Sequence, residues 1–208
     1  FKFGYGKLVT IGSKKVWAQR LSYVGELGFE LYIENNDAKE IYQLIVKEGK
    51  NHDLSHCGSH AMDTMRMESG FLHWGHDISP EENQYEARLN FAISYKKGIN
   101  FIGKERLLKL KDKKLNRRFI MLSLKNCKPG APLLLHEEPI YLGDKIIGRT
   151  TSGNYSFNYE KNLSFGYISS TYSNEELSTM DLYIEVAKQK FLAMVEFVPL
   201  KDKQARFL

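Results

Sequence analysis

The side chains able to do chemistry in this 208-residue chain are six histidines, two cysteines and a few carboxylates in aliphatic or aromatic surroundings. Five of the histidines, His52, His56, His60, His73 and His76, fall close together with Cys57 among them. His56 and His60 are four apart and could share one helical face, as zinc ligands do. The Glu of the zinc-protease pattern is missing, as are the paired cysteines of structural zinc sites. These histidines therefore read as surface or locally hydrogen-bonded groups, and no metal is expected. No Ser lies in a G-x-S-x-G turn, and neither Cys57 nor Cys127 has a nucleophile signature around it. Glycine loops of the phosphate-binding or dinucleotide-binding type are absent too.

Glu30 stands out because it sits in the otherwise aromatic and aliphatic run Phe29–Ile33, with Tyr23 seven residues earlier across a glycine turn. A carboxylate near apolar neighbours is costly unless it is paired or binds something. Glu30 is open to two readings. It could be the solvent-facing residue of an alternating strand, or a carboxylate accepting two parallel hydrogen bonds from a flat amino-pyrimidinone edge, which fixes orientation as well as affinity. Arg66 with Glu68 reads as a local ion pair or a solvated helix face, or as part of a site. Trp74, beside Gly75, reads as core or interface filling or as a platform for a ligand.

The elements that must position these residues follow from periodicity. Val16, Ala18 and Arg20 alternate with Trp17, Gln19 and Leu21. After the turn Val24-Gly25-Glu26, Phe29, Leu31 and Ile33 share one face and Glu30 and Tyr32 the other. This is a hairpin-like loop between two strands. Asn36 or Asp37 opens a helix with Ile41, Leu44 and Ile45 as its apolar stripe and Gly49 as its stop. A second helix runs from about Ser59 to Ser69, with Ala61, Met65 and Glu68 on one side and Met62, Arg66 and Ser69 on an adjacent one, and ends at Gly70. Phe71–Ile78 is expected to be extended, and Asn90–Tyr95 to be a strand. Strand, helix, helix, strand implies an α+β arrangement with helices on one face of a sheet. A charged helix is expected from Gly103 to about Leu115. Beyond it come short strands at Phe119–Leu124, Ile140–Leu142, Lys145–Ile147, Ser164–Ile168, Leu182–Val186 and Lys190–Phe197. Turn signals separate them at Lys128-Pro129-Gly130, Gly143-Asp144 and Ser152-Gly153-Asn154. That spacing predicts a small barrel or sandwich, with a boundary near 100–115.

Composition is that of an ordinary globular chain: 42 % hydrophobic and 26 % charged residues. No apolar run is long enough for a membrane helix, and no membrane association is expected. The start, FKFGYGKLVT, has neither a signal-peptide pattern nor a Met, which suggests a piece of something longer. Two widely spaced cysteines do not make a disulfide framework, so a cytoplasmic setting is expected. The net charge of +5 is uneven: residues 96–118 hold ten Lys and Arg against two acids, leaving the remainder at −3. The strip reads as a solvated basic linker or as a docking strip for an anionic partner. Aromatics are not interleaved with its cations, so no nucleic-acid partner is expected.

At these same positions the sequence resembles the glycine-cleavage aminomethyltransferase family. YVGELGFEL resembles its YTGExGxE segment, and MDTMRMESGFLHWGHDI its R-D-x-L-R-L-E-x-G segment with the aromatic and Gly that follow. NFIGKERL is similar to the D-F-I-G-K/R-x-x-L linker, and TTSGNYSFNYEKNLSFGYI to the T-S-G-x-x-S barrel segment. The likeness is collinear over nearly the whole chain. Within the family, LSYVGELGFELY, Trp74-Gly75 and TTSGNYS look most like the folate half of dimethylglycine and sarcosine dehydrogenases.

The resemblance implies a partial folate-binding α/β sandwich at 1–100, a basic linker and helix at 101–116, and a carboxy-terminal β-barrel domain at 117–208. It implies tetrahydrofolate as the small-molecule partner, held by Glu30 and Tyr23, with Arg66 and Trp74 as further folate-site residues. Trp74 stands where the family often has Tyr. It places FAD only in an amino-terminal domain outside these residues. The family's catalytic Asp also belongs to an earlier segment, so no catalytic residue is assigned here, and Asp63 matches a different Asp. The expected activity is that of the folate-binding part of a one-carbon-transferring enzyme, with the amino-terminal part of the same enzyme as its partner. The alternative is a non-catalytic folate-binding or assembly module that pairs with a separate chain.

Overall fold

The computed structural model describes residues 1–201, so residues 202–208 of the expected barrel domain lie outside the described residues. The chain divides into two compact units, Phe1–Ser69 with Lys201, and Gly70–Leu200.

The first unit is built on a three-stranded antiparallel sheet, β1 (Gly6–Ile11), β2 (Lys14–Gln19) and β3 (Glu30–Tyr32), in that order. β1 is an addition to the sequence reading, whose alternation starts at Val16. The alternation along β2 divides its side chains as expected. Val16 and Ala18 are buried, while Trp17 lies on the other face in register with Leu8 and Tyr32. β2 and β3 are joined by the ten-residue loop 20–29, so the hairpin is real and β3 is short. Helix α1 (Ala38–Gly49) follows, its residue Ile41 fully buried. Lys14 of β2 pairs with Asp37 at the start of α1 at 2.6 Å, which ties helix to hairpin. Helix α2 (Ser59–Glu68) buries Thr64, Arg66, Met67 and Glu68.

The second unit opens with irregular chain, where two expectations need correction. Asn90–Tyr95 is not a strand; Asn90–Ala92 forms a single 3₁₀ turn. Its amides find local acceptors, with Ala92 N–H bonding Leu89 O and Ile93 N–H bonding Asn90 O, and Phe91 points into solvent. Local bonding satisfies backbone that a sheet would otherwise have to pair. Within Phe71–Ile78, expected to be extended, residues 73–78 form a tight turn for the same reason. The carbonyl of His73 accepts from the amides of His76, Asp77 and Ile78. Helix α3 (Lys104–Lys111) follows and buries no residue.

The rest is a closed six-stranded barrel: β4 (Arg117–Leu124), β5 (Pro139–Leu142), β6 (Lys145–Ser156), β7 (Lys161–Ser169), β8 (Leu182–Val186) and β9 (Gln189–Glu196). The strands pair antiparallel around the ring in the order β4-β7-β6-β5-β8-β9. Closure removes the free edges that a small open sheet would expose. Ile120, Leu122, Leu134, Ile140, Ile168, Leu182 and Ile184 fill the interior. A short helix, α4 (Asn174–Thr179), is capped reciprocally by Ser173 and Glu176.

Ser152-Gly153-Asn154 is not a turn. It lies inside β6, paired with Leu163–Phe165 of β7. Gly153 is there for space: a Cβ on it would sit 2.4 Å from the carbonyl carbon of Leu134 and 2.5 Å from its Cβ. Glycine in a strand interior commonly marks such a close approach. We predict that Gly153→Ala lowers barrel stability by roughly 1–3 kcal/mol, the usual cost of overpacking. Denaturant unfolding checks this; a midpoint equal to the parent's would contradict it.

Candidate functional site

Glu30 opens β3 and lies exposed, its Oε2 accepting a hydrogen bond of 2.7 Å from the Tyr32 hydroxyl. The two side chains are two residues apart on a strand and so share a face. That face continues across the sheet, with Gln19 beside Glu30 and Trp17 and Leu8 beside Tyr32. The result is a carboxylate at the margin of an aromatic and aliphatic row. A carboxylate has about four lone-pair sites and Tyr32 uses one, so Glu30 keeps the capacity for a two-donor ligand edge. The hydrogen bond from Tyr32, and then the charge of Glu30, raise the Tyr32 phenol above its ordinary pKa.

Tyr23 is half-buried in the loop between β2 and β3. This loop is held by the end of α2. The Ser69 hydroxyl donates to the Val24 carbonyl at 3.1 Å. Gly25 has φ +72°, and a Cβ there would lie 2.2 Å from Ser69 Oγ, so both the backbone conformation and the space require glycine. Lys201 adds a second tie, its amide bonding Glu68 O at 3.0 Å and its ammonium pairing with Glu26 at 2.6 Å. Sequence segments some forty residues apart are thereby joined, with Tyr23 on one and Arg66 on the other.

Arg66 is 1 % exposed, and its Nε donates to Asp63 Oδ1 at 2.7 Å. A buried guanidinium needs such a partner. The sequence reading set Arg66 beside Glu68; the structure adds Asp63, one helical turn earlier, to the group. Their i, i+3 spacing is the signal that could have shown it.

Trp74 belongs to the second unit, where it is 65 % exposed on the turn 73–78. Its neighbour Asp77, which the sequence reading left unassigned, is fully buried. Asp77 Oδ1 accepts from the hydroxyls of Thr151 at 2.6 Å and Ser152 at 2.7 Å, while Oδ2 accepts from the His73 amide at 2.9 Å. The Tyr167 hydroxyl donates to the Asp77 carbonyl at 2.8 Å. Burial, reinforced by the charge of Glu82, pushes the Tyr167 phenol well up and keeps it a donor.

Among the described residues no group of three or more His, Cys, Asp or Glu side chains is arranged to hold a metal ion. His56 bonds the Tyr42 hydroxyl at 2.8 Å, and His73 and His76 stack with ring centres 4.6 Å apart. In the basic strip, Arg117 pairs with Glu82 at 2.8 Å and lies over the Tyr167 ring. Lys96, Lys97, Lys109, Lys111, Lys113 and Lys114 are exposed. No helix among the described residues is long and apolar enough to cross a membrane.

Residues 1–97 match the GCVT N-terminal domain, and residues 117–202 match the glycine cleavage T-protein C-terminal barrel domain. The chain belongs to the glycine cleavage T-protein family. Human mitochondrial dimethylglycine dehydrogenase is 35 % identical over 81 % of this chain and 19 % of its own length. The aminomethyltransferase of Listeria welshimeri is 33 % identical over 95 % of this chain and 51 % of its own. Mouse mitochondrial sarcosine dehydrogenase is 32 % identical over 81 % of this chain and 18 % of its own. The chain thus spans about half the length of the aminomethyltransferase and about a fifth of the dehydrogenases. The crystal structure of glycine cleavage system aminomethyltransferase T from Bartonella henselae shares the fold, with a TM-score of 0.79 over 93 % of this chain and 51 % of that one, at 21 % identity.

Replacing Glu30 by Gln removes the charge and leaves only a neutral, weaker amide acceptor for the Tyr32 proton. The Tyr32 phenol should then titrate at lower pH than in the parent, while the other tyrosines keep their values. Ultraviolet difference titration, with Tyr32→Phe to assign the signal, reads this shift; an unmoved Tyr32 titration would show that the pair does not form.

Proposed function

We propose that this chain is the tetrahydrofolate-binding part of a one-carbon-transferring enzyme, and that Glu30 is the residue that holds the pterin edge. Family membership supports the one-carbon setting. The observation that carries the folate reading is the Glu30–Tyr32 pair. It is an exposed carboxylate fixed in orientation by a neighbouring hydroxyl at 2.7 Å, beside apolar side chains that suit a flat ring. Two charge-assisted hydrogen bonds from an amino-pyrimidinone fit that carboxylate. Tyr23 and Arg66, on segments tied together through Ser69 and Val24, are proposed as further folate-binding residues. Trp74, exposed on its turn, is proposed as a further folate-binding residue. When bound, tetrahydrofolate supplies the nucleophilic nitrogen that takes up the one-carbon unit. The chain's own residues bind and orient it.

The relatives are longer, so the reading includes further polypeptide of the same enzyme as partner. In a dehydrogenase-like parent that polypeptide would carry FAD. The organisation proposed is a folate-binding portion at 1–100, a basic linker at 101–116 and the barrel domain at 117–208.

Tetrahydrofolate should bind the 208-residue chain saturably, and Glu30→Gln should weaken binding about tenfold or more, the loss of a hydrogen bond to a charged group. Isothermal titration calorimetry under anaerobic conditions measures both. Absence of saturable binding up to millimolar ligand, or equal affinity in the variant, would rule the assignment out.

A further inference from the structure

We propose that Asp77 is the positioning residue of the Trp74 turn: its buried carboxylate clamps the turn to the barrel and so sets Trp74 as a ligand platform. The inference rests on the folate reading for the identity of the ligand, but not for the clamp.

A carboxylate at 0 % exposure survives only if its oxygens are bonded. Two places supply donors to Asp77. The His73 amide comes from its own turn, and the hydroxyls of Thr151 and Ser152 come from β6. Consecutive residues of a regular strand face opposite sides and could not both reach one oxygen. β6 is irregular at this point: Thr150 opposes Gly166 and Ser152 opposes Phe165, leaving Thr151 as an extra, unpaired residue. Such a bulge re-aims side chains. Here it turns two neighbouring hydroxyls onto the same atom, Asp77 Oδ1.

The turn is fixed along its length as well. His73 O accepts three amides, Gly75 N–H bonds Ile78 O at 2.8 Å, and Gly75 takes φ +90°. The Asp77 carbonyl is held by Tyr167 of β7. Trp74 therefore stands 65 % exposed on backbone that is bonded to two barrel strands. A large aromatic surface left in water on a rigid mount is suited to stacking a ligand ring, since little order remains to be lost on binding.

The test uses the full chain with Trp17→Phe, so that Trp74 is the single tryptophan. In Asp77→Ala, Trp74 should show lower fluorescence anisotropy and faster acrylamide quenching, with far-ultraviolet circular dichroism unchanged. The double variant Thr151→Ala/Ser152→Ala, which keeps the carboxylate and removes its barrel donors, should move in the same direction. Asp77→Asn should recover part of the anisotropy. Tetrahydrofolate affinity should fall about tenfold in Asp77→Ala, and this fall should vanish when Trp74→Ala is already present, the signature of action through Trp74. An affinity loss of equal size without Trp74, or an unchanged Trp74 anisotropy in folded variants, would overturn the proposal. If the parent binds no tetrahydrofolate, the folate reading fails alone, and the anisotropy and quenching of Trp74 still decide the clamp.

Discussion

A carboxylate removed wholly from water sets conditions on everything around it. Asp77 requires donors, and the chain provides them from a strand more than seventy residues away. That demand accounts for several features together: the bulge at Thr151, the hydroxyl pair Thr151–Ser152, and the tight turn at 73–78 whose His73 amide also reaches the carboxylate. Two sequence motifs that look separate, W-G-H-D-I and T-T-S-G-N, are one structural unit joined by a carboxylate.

The barrel that supplies these donors depends on closure and on space. Six strands of four to twelve residues pair into a ring with no free edge, and aliphatic side chains from every strand fill it. Where another segment passes close, glycine is required. Gly148 and Gly166 approach neighbouring backbone across β6 and β7, and Gly153 meets Leu134. A turn residue and a close-approach residue are the same letter in a sequence, which is why Ser152-Gly153-Asn154 reads as a turn until its neighbours are known.

In the first unit the corresponding constraint is the docking of the 20–29 loop on the end of α2. Gly25, Ser69 and Lys201 form that joint, and none of them is singled out for chemistry in the sequence reading. They nonetheless decide that Tyr23 and the helix of Arg66 belong to one structural unit. Arg66 in turn is held by Asp63, so the guanidinium that looked like a possible surface group is a buried, paired one.

Much of the architecture was legible in the residues. Period-two alternation found β2 and β3, three- and four-residue spacing found α1 and α2, and six short runs bounded by turn signals found six barrel strands. These are local signals: a strand or helix with one buried face writes its period into the chain. The capping box of α4, Ser173 with Glu176, was equally local and went unread. Alternation also put Glu30 and Tyr32 on one face, and the structure bonds them. What the sequence by itself could not determine is long-range: that Asp77 meets Thr151 and Ser152, that Ser69 meets Val24, that Gly153 lies against Leu134. Each depends on segments distant in the chain arriving at one place, and nothing in the local pattern encodes that meeting. The residues determined the elements and the candidate chemistry, and tertiary packing decided which side chains are buried, which are paired, and which, like Trp74, are held in the open.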